Sequence, residues 1–212
     1  MIRAVVSDFG GVLTSPLSDS FFVYGKRIGV EPERFWQAVA LATKEADGAH
    51  PLFLLECGQI TEAEFLRRLE AHLDGVSLAG FSRAFFDHLE PNEPVIAFLR
   101  ELRDRGLRMA LLTNNVIEWE PLWRPKLPDI DELFEVVVDS GFVGMRKPDP
   151  AIYRLTLDRL GDGLRFEEAV FLDDLEVNCE AARTLGMRAV RYEAADQAIA
   201  ELEAVLREEG TP

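Results

Sequence analysis

The acids, amides and lysine able to do chemistry stand where apolar runs end. Asp8 closes "AVVSD" ahead of Gly10 and Gly11; Thr113 and Asn114 close "MALLTN"; Asp139 and Ser140 close "VVVDS"; Asp173 and Asp174 close "AVFLDD". Lys147 follows in the loop "GMRKPDP". A carboxylate such as Asp8 can attack phosphorus to give an acyl phosphate that water later hydrolyses, dividing one hard displacement into two easier ones. Both reactants are anionic, so a hard divalent cation is needed. Magnesium in octahedral oxygen coordination would bind Asp8 and Asp173, with Asp174 acting through water or Lys147. Lys147 would give a compact positive charge to the phosphate, while the Thr113 hydroxyl and the Asn114 backbone amide would donate hydrogen bonds to it.

Each residue also has a plainer explanation. Asp8 before two glycines suits a turn. "LLTNN" suits a strand end leading into a helix cap. Lys147 could be a solvated side chain, with Arg146 as the charge that matters. Asp173 and Asp174 resist such an account, because adjacent acids closing a buried strand raise each other's pKa unless a cation is close. Asn178 is placed to cap or orient the loop that follows them.

These residues need a frame that brings strand ends together. "IRAVVSD", "LRMALLTN", "FEVVVDS", "EAVFLDD" and "MRAVRY" each read as a strand buried on both faces. Helical patterns separate most of them. "NEPVIAFLRELRDRG" places Val95, Phe98, Leu99 and Leu102 on one face, and "DPAIYRLTLDRLG" has Asp149 as N-cap, Pro150 at the first helical position and Gly161 beyond the end. A third helix runs from Asp174 to Gly186, and "ELEAVLREEGTP" closes the chain as a helix. This alternation predicts an α/β fold with a doubly wound, mostly parallel, Rossmann-like sheet. In such sheets ligands gather at the carboxyl ends of the strands.

Residues 15–90 carry only helical patterns, including a capping-box signature of Thr61 with Glu64. The expected organisation is a core domain of residues 1–14 and 91–212 with an inserted α-helical cap domain over 15–90. Aromatic residues of the cap and of the 115–127 loop, among them Phe53, Trp119 and Trp123, are core or entrance residues.

Composition narrows the function further. The 212 residues are 48% hydrophobic and carry a formal net charge of −15 without a basic run, which argues against nucleic acid and anionic lipid as partners. No apolar stretch suits a signal peptide or membrane span, so a cytoplasmic protein is expected. Cys57 and Cys179 have no metal-ligand spacing, and His50, His72 and His88 form no metal motif.

Taken in order, "VVSDFGGVLTSP", "ALLTN", "GMRKPDPAIY" and "VFLDDLEVN" resemble the four motifs of the haloacid dehalogenase-like (HAD) hydrolases, over nearly the whole chain. "LLECGQITEAEFLRRL" is similar to the small cap of a subgroup that includes sugar-phosphate phosphatases and the phosphatase-like N-terminal domain of soluble epoxide hydrolases. The resemblance implies a magnesium-dependent phosphatase for a small phosphorylated, sugar-phosphate-like metabolite, with Asp8 as nucleophile and the Gly10 backbone carbonyl as a further metal ligand. It also implies a second aspartate at position 10 as proton carrier. Glycine stands there instead. A positioned acid or base is worth about 10² to 10⁴ in rate. Ser15, Asp19 and Glu118 are candidate substitutes. A metabolite-binding or regulatory protein with weak turnover, and a 2-haloacid dehalogenase-type hydrolase, remain alternatives.

Overall fold

A computed structural model describes residues 1–211. Five parallel strands form one sheet in the order β3-β2-β1-β4-β5, where β1 is Ala4–Ser7, β2 Arg108–Thr113, β3 Val136–Asp139, β4 Ala169–Asp173 and β5 Arg188–Arg191. These are the five runs read as strands in the sequence, but β5 is an edge strand with Arg188 and Arg191 exposed and is not buried on both faces as expected. β1 and β4 are buried along their whole length, which is why their sequences show no polar alternation.

Helices cover both faces. On one side α6 (Glu93–Asp104) contributes Val95, Phe98, Leu99 and Leu102, and α12 (Ala195–Glu208) contributes Ala198, Leu202 and Leu206. On the other lie α10 (Pro150–Leu160), with Ile152, Tyr153 and Leu157, and α11 (Glu176–Thr184), with Ala182. The Asp149 carboxylate accepts the Ala151 N–H at 2.9 Å, so α10 starts where the Asp-Pro step places it. The chain winds outward from β1 through β2 to β3, then crosses back to β4 and β5. The crevice between β1 and β4 is therefore the switch point of the sheet.

Between β1 and α6 the chain forms α1 (Leu17–Ile28), α2 (Pro32–Glu45), α3 (Pro51–Glu56), α4 (Glu62–Glu70) and α5 (Phe81–Asp87). Its outgoing and returning segments meet in a narrow antiparallel neck. Thr14 bridges Pro91, the Ser15 N–H donates to Glu90 O at 2.8 Å and the Asn92 N–H to Leu13 O at 2.9 Å. Aromatic rings knit this layer together: Phe21 lies 4.9 Å from Phe85 and 5.4 Å from Phe35, and Phe86 lies 5.6 Å from Trp119 on the sheet side.

Local details differ from the sequence expectation. The six-residue helix α3 is too short to show a helical period. The loop expected over 115–127 contains 3-10 turns and α7 (Glu120–Trp123), followed by α8 (Ile130–Leu133). Thr61 does cap α4, accepting the Glu64 N–H at 3.2 Å. The Glu64 carboxylate, however, takes Arg67 and Arg68 at 2.7 Å each; two local guanidinium groups outcompete one backbone amide for it.

Candidate active site

Asp8 follows β1 directly, and its N–H donates to Leu172 O at 2.8 Å, which ties it to the end of β4. The next strand ends supply Asp173 and Asp174. One carboxylate oxygen from each of Asp8, Asp173 and Asp174 lies within 4.8 Å of the others. Lys147 enters the same place from the loop between α9 (Ser140–Val143) and α10, with its Nζ 2.7 Å from Asp8 Oδ1 and 2.6 Å from Asp173 Oδ2. The ammonium is only 1% exposed, and the Phe171 ring lies 5.5 Å beneath it.

The sequence placed Asn114 through its backbone. The structure shows a task for its side chain: Oδ1 accepts the Lys147 N–H at 2.8 Å and Nδ2 donates to Lys147 O at 3.0 Å. This two-point clamp fixes the lysine's backbone, and the signal for it was an amide directly after a strand. Thr113 is buried at the end of β2, paired in register with Asp139. Asp139 itself caps α9, its Oδ1 accepting the Gly141 N–H at 2.9 Å.

Asp173 and Asp174 are held differently. Asp173 is fully buried, with Oδ2 on Lys147 and Oδ1 accepting from Leu175 N at 2.8 Å and Asn178 Nδ2 at 3.0 Å. Asn178 thus orients the acid itself. Half-buried Asp174 leans on the Asp8 turn. A Cβ at Gly11 would come 2.8 Å from Asp174 Oδ2, and Gly11 has φ +80°, a backbone conformation that favours glycine.

The electrostatics are unbalanced. Burial pushes the Asp8 carboxyl up to about 7; Lys147 opposes this while Asp173 and Asp174 reinforce it. Burial, followed by Asp173, pushes Asp174 up to about 6. Burial works against the Lys147 ammonium, yet Asp173 and Asp8 outweigh it and hold its pKa above the ordinary value. Three carboxylates face one ammonium, and all the donors are hard oxygens. That set fits a magnesium ion.

The sequence also raised Ser15, Asp19 and Glu118. Ser15 Oγ accepts the Glu90 N–H at 3.2 Å in the neck. Asp19 is exposed on α1, and Glu118 accepts the Glu62 N–H at 3.1 Å. The leading charges beside Asp8 are those of Lys147, Asp173 and Asp174. Arg146 does not join the carboxylates; its Nε lies 2.6 Å from Glu56 Oε2 and its guanidinium 3.8 Å from the Phe53 ring, linking the Lys147 loop to α3. Cys57 and Cys179 are free thiols. No helix among the described residues is long and apolar enough to cross a membrane.

A parallel sheet with paired acids at its switch point defines a class, and comparison with known proteins gives it a family. The model of haloacid dehalogenase-like hydrolases matches residues 2–186, and the chain belongs to that family. It is 32% identical over 216 residues to acyl-CoA dehydrogenase family member 10 of Mus musculus, covering 96% of this chain but 19% of that much longer protein. The glyceraldehyde 3-phosphate phosphatase of Methanopyrus kandleri is 27% identical over 90% of this chain and 84% of its own. A HAD family enzyme of Bacteroides thetaiotaomicron, solved as a magnesium complex, superimposes with a TM-score of 0.66 at 25% identity, covering 91% of this chain and 94% of its own.

Proposed function

We propose that this hydrolase is a magnesium-dependent phosphatase acting on a small phosphorylated metabolite through a phosphoaspartate on Asp8. The observation that carries this reading is the meeting of Asp8, Asp173 and Asp174 around one buried lysine. The phosphatase relative and the magnesium-bound neighbour support it. Asp8, Asp173, Asp174 and the Gly10 carbonyl would hold magnesium, which when bound neutralises charge on nucleophile and phosphate. Because Asp173 already accepts three hydrogen bonds, we give Asp174 the larger share of direct ligation, reversing the order favoured by the sequence.

The chain's own groups do the rest. An Asp8 carboxylate oxygen attacks phosphorus, the ester bond breaks, and water then hydrolyses the acyl phosphate. Lys147, fixed by Asn114 and Asp173, presents its charge to the phosphate oxygens, and Thr113 with the Asn114 N–H completes the cradle. Residues 15–90 act as a cap domain on the core of 1–14 and 91–212, excluding water from the crevice and hinging at the Thr14–Pro91 neck.

The test is phosphate release from a panel of phosphate monoesters, sugar phosphates included, with and without magnesium. Release should require the metal and fall by about 10³-fold or more in Asp8→Asn. Full turnover in that variant would overturn the mechanism. Tight metabolite binding without release would favour a binding protein.

A further inference from the structure

The tip of the helical layer rests on the loop that carries the lysine. Phe53 and Glu56 stand about one turn apart on α3 and hold a single guanidinium: Arg146 Nε lies 2.6 Å from Glu56 Oε2, and Arg146 Cζ lies 3.8 Å from the Phe53 ring centroid. Among the described residues Arg146 pairs with no other acid. Just beyond α3, Gly58 presses on the same loop, backbone to backbone. A Cβ at Gly58 would come 2.6 Å from Gly141 O, and Gly58 has φ +63°, so this close approach depends on glycine. The layer thus meets the run 141–146 at both ends, and Lys147 is the next residue. Arg146 also closes the turn that carries the lysine, its carbonyl accepting the Asp149 N–H at 2.9 Å. Burial pushes the Glu56 carboxyl up, Arg146 opposes this, and the Lys147 ammonium adds to the opposition, so the lysine's field reaches α3.

We infer that Glu56 is a positioning residue for Lys147: through Arg146 it fixes the lysine's loop from the cap side, as Asn114 fixes it from the sheet, and the ammonium is aligned for phosphate only while the cap tip is seated. This deepens the proposed function and rests on its placing of Lys147 against the phosphate. An ammonium on a flexible four-carbon stem takes its aim from the backbone that carries it. The Asn114 amide clamps one peptide of that backbone, and the Glu56–Arg146 pair holds the residue before it. Misplacing such a charge by about 1 Å costs up to about 10² in rate. Seating of the cap and alignment of the lysine are therefore one event.

The experiment joins steady-state kinetics on 4-nitrophenyl phosphate under saturating magnesium to native-state hydrogen exchange, for the wild type, Glu56→Gln, Arg146→Met and the double variant. Each single variant should lose about 10- to 100-fold in kcat with KM moved by less than about threefold. The amides of 144–149 should exchange about tenfold faster, while those of β1 and β4 stay protected. The double variant separates positioning from charge. Glu56→Gln strands a half-buried cation that the double variant removes, so the double should be no less stable in urea than either single, yet as slow as the slower of them. Should Glu56→Gln fail to fold, Glu56→Asp, one methylene short of Arg146, reads the same loss. Recovery of wild-type kcat in the double variant would overturn the inference, as would unchanged loop exchange in Glu56→Gln. A KM raised about tenfold by Arg146→Met alone, with kcat kept, would make Arg146 a substrate-binding group and overturn it as well. No phosphate release from the wild type would strike the phosphatase reading, and the exchange rates would then decide by themselves whether Glu56 holds the loop.

Discussion

The Lys147 ammonium and the Asp173 carboxylate form a dry ion pair at 2.6 Å, both side chains at 1% exposure or less. Breaking such a pair by removing one partner costs about 3–5 kcal/mol, because the other charge is left buried without compensation. Lys147→Met should therefore unfold at much lower urea. It leaves three acids together, so magnesium should raise its stability more than that of the wild type. Chemical denaturation with and without the metal measures both effects.

The Asn114 clamp acts on the lysine's backbone rather than on a ligand. Asn114→Ala should lower kcat by roughly 10-fold while moving KM little, the pattern of a lost positioning interaction. Steady-state kinetics on any turned-over ester will separate the two constants.

Asp139 offers a pH signature away from the carboxylate cluster. Burial pushes it up to about 6, the Gly141 N–H opposing and Glu120 reinforcing. A folded pKa above the unfolded 3.8 means the folded state holds the proton longer. The resulting stabilisation is full below about pH 3.8 and is lost as pH rises through about 6. Between pH 5 and 7.5 the wild type should lose about 1–2 kcal/mol relative to Asp139→Asn in paired urea titrations. A pH-independent difference would refute the assignment.

Glu56 and Arg146 join α3 to the Lys147 loop, with side chains 14% and 20% exposed. Burial raises the Glu56 pKa and Arg146 opposes it. A double-mutant cycle of Glu56→Gln and Arg146→Met should give a coupling of about 1–2 kcal/mol, above that of an exposed pair.

Much of this architecture was legible in the sequence because it rests on local signals. The central strands β1 and β4 are continuous apolar runs, α10 has its Asp-Pro start, and every acid of the cluster ends or directly follows one of those strands. What escaped depends on long-range placement. Nothing near Glu56 points to Arg146, and α3 has too few residues to show a period. The Asn114 side chain was visible as a residue but not as a clamp, since its partner lies 33 positions along the chain.

The neck at Thr14 and Pro91 brings the ends of a long helical excursion within one hydrogen bond of each other. To the sheet, that whole excursion is geometrically equivalent to a tight turn. Strand registry is consequently set within the platform itself, while the helices above are moored to it at separate points, by the Glu56–Arg146 pair and the Phe86–Trp119 contact as well as by the neck.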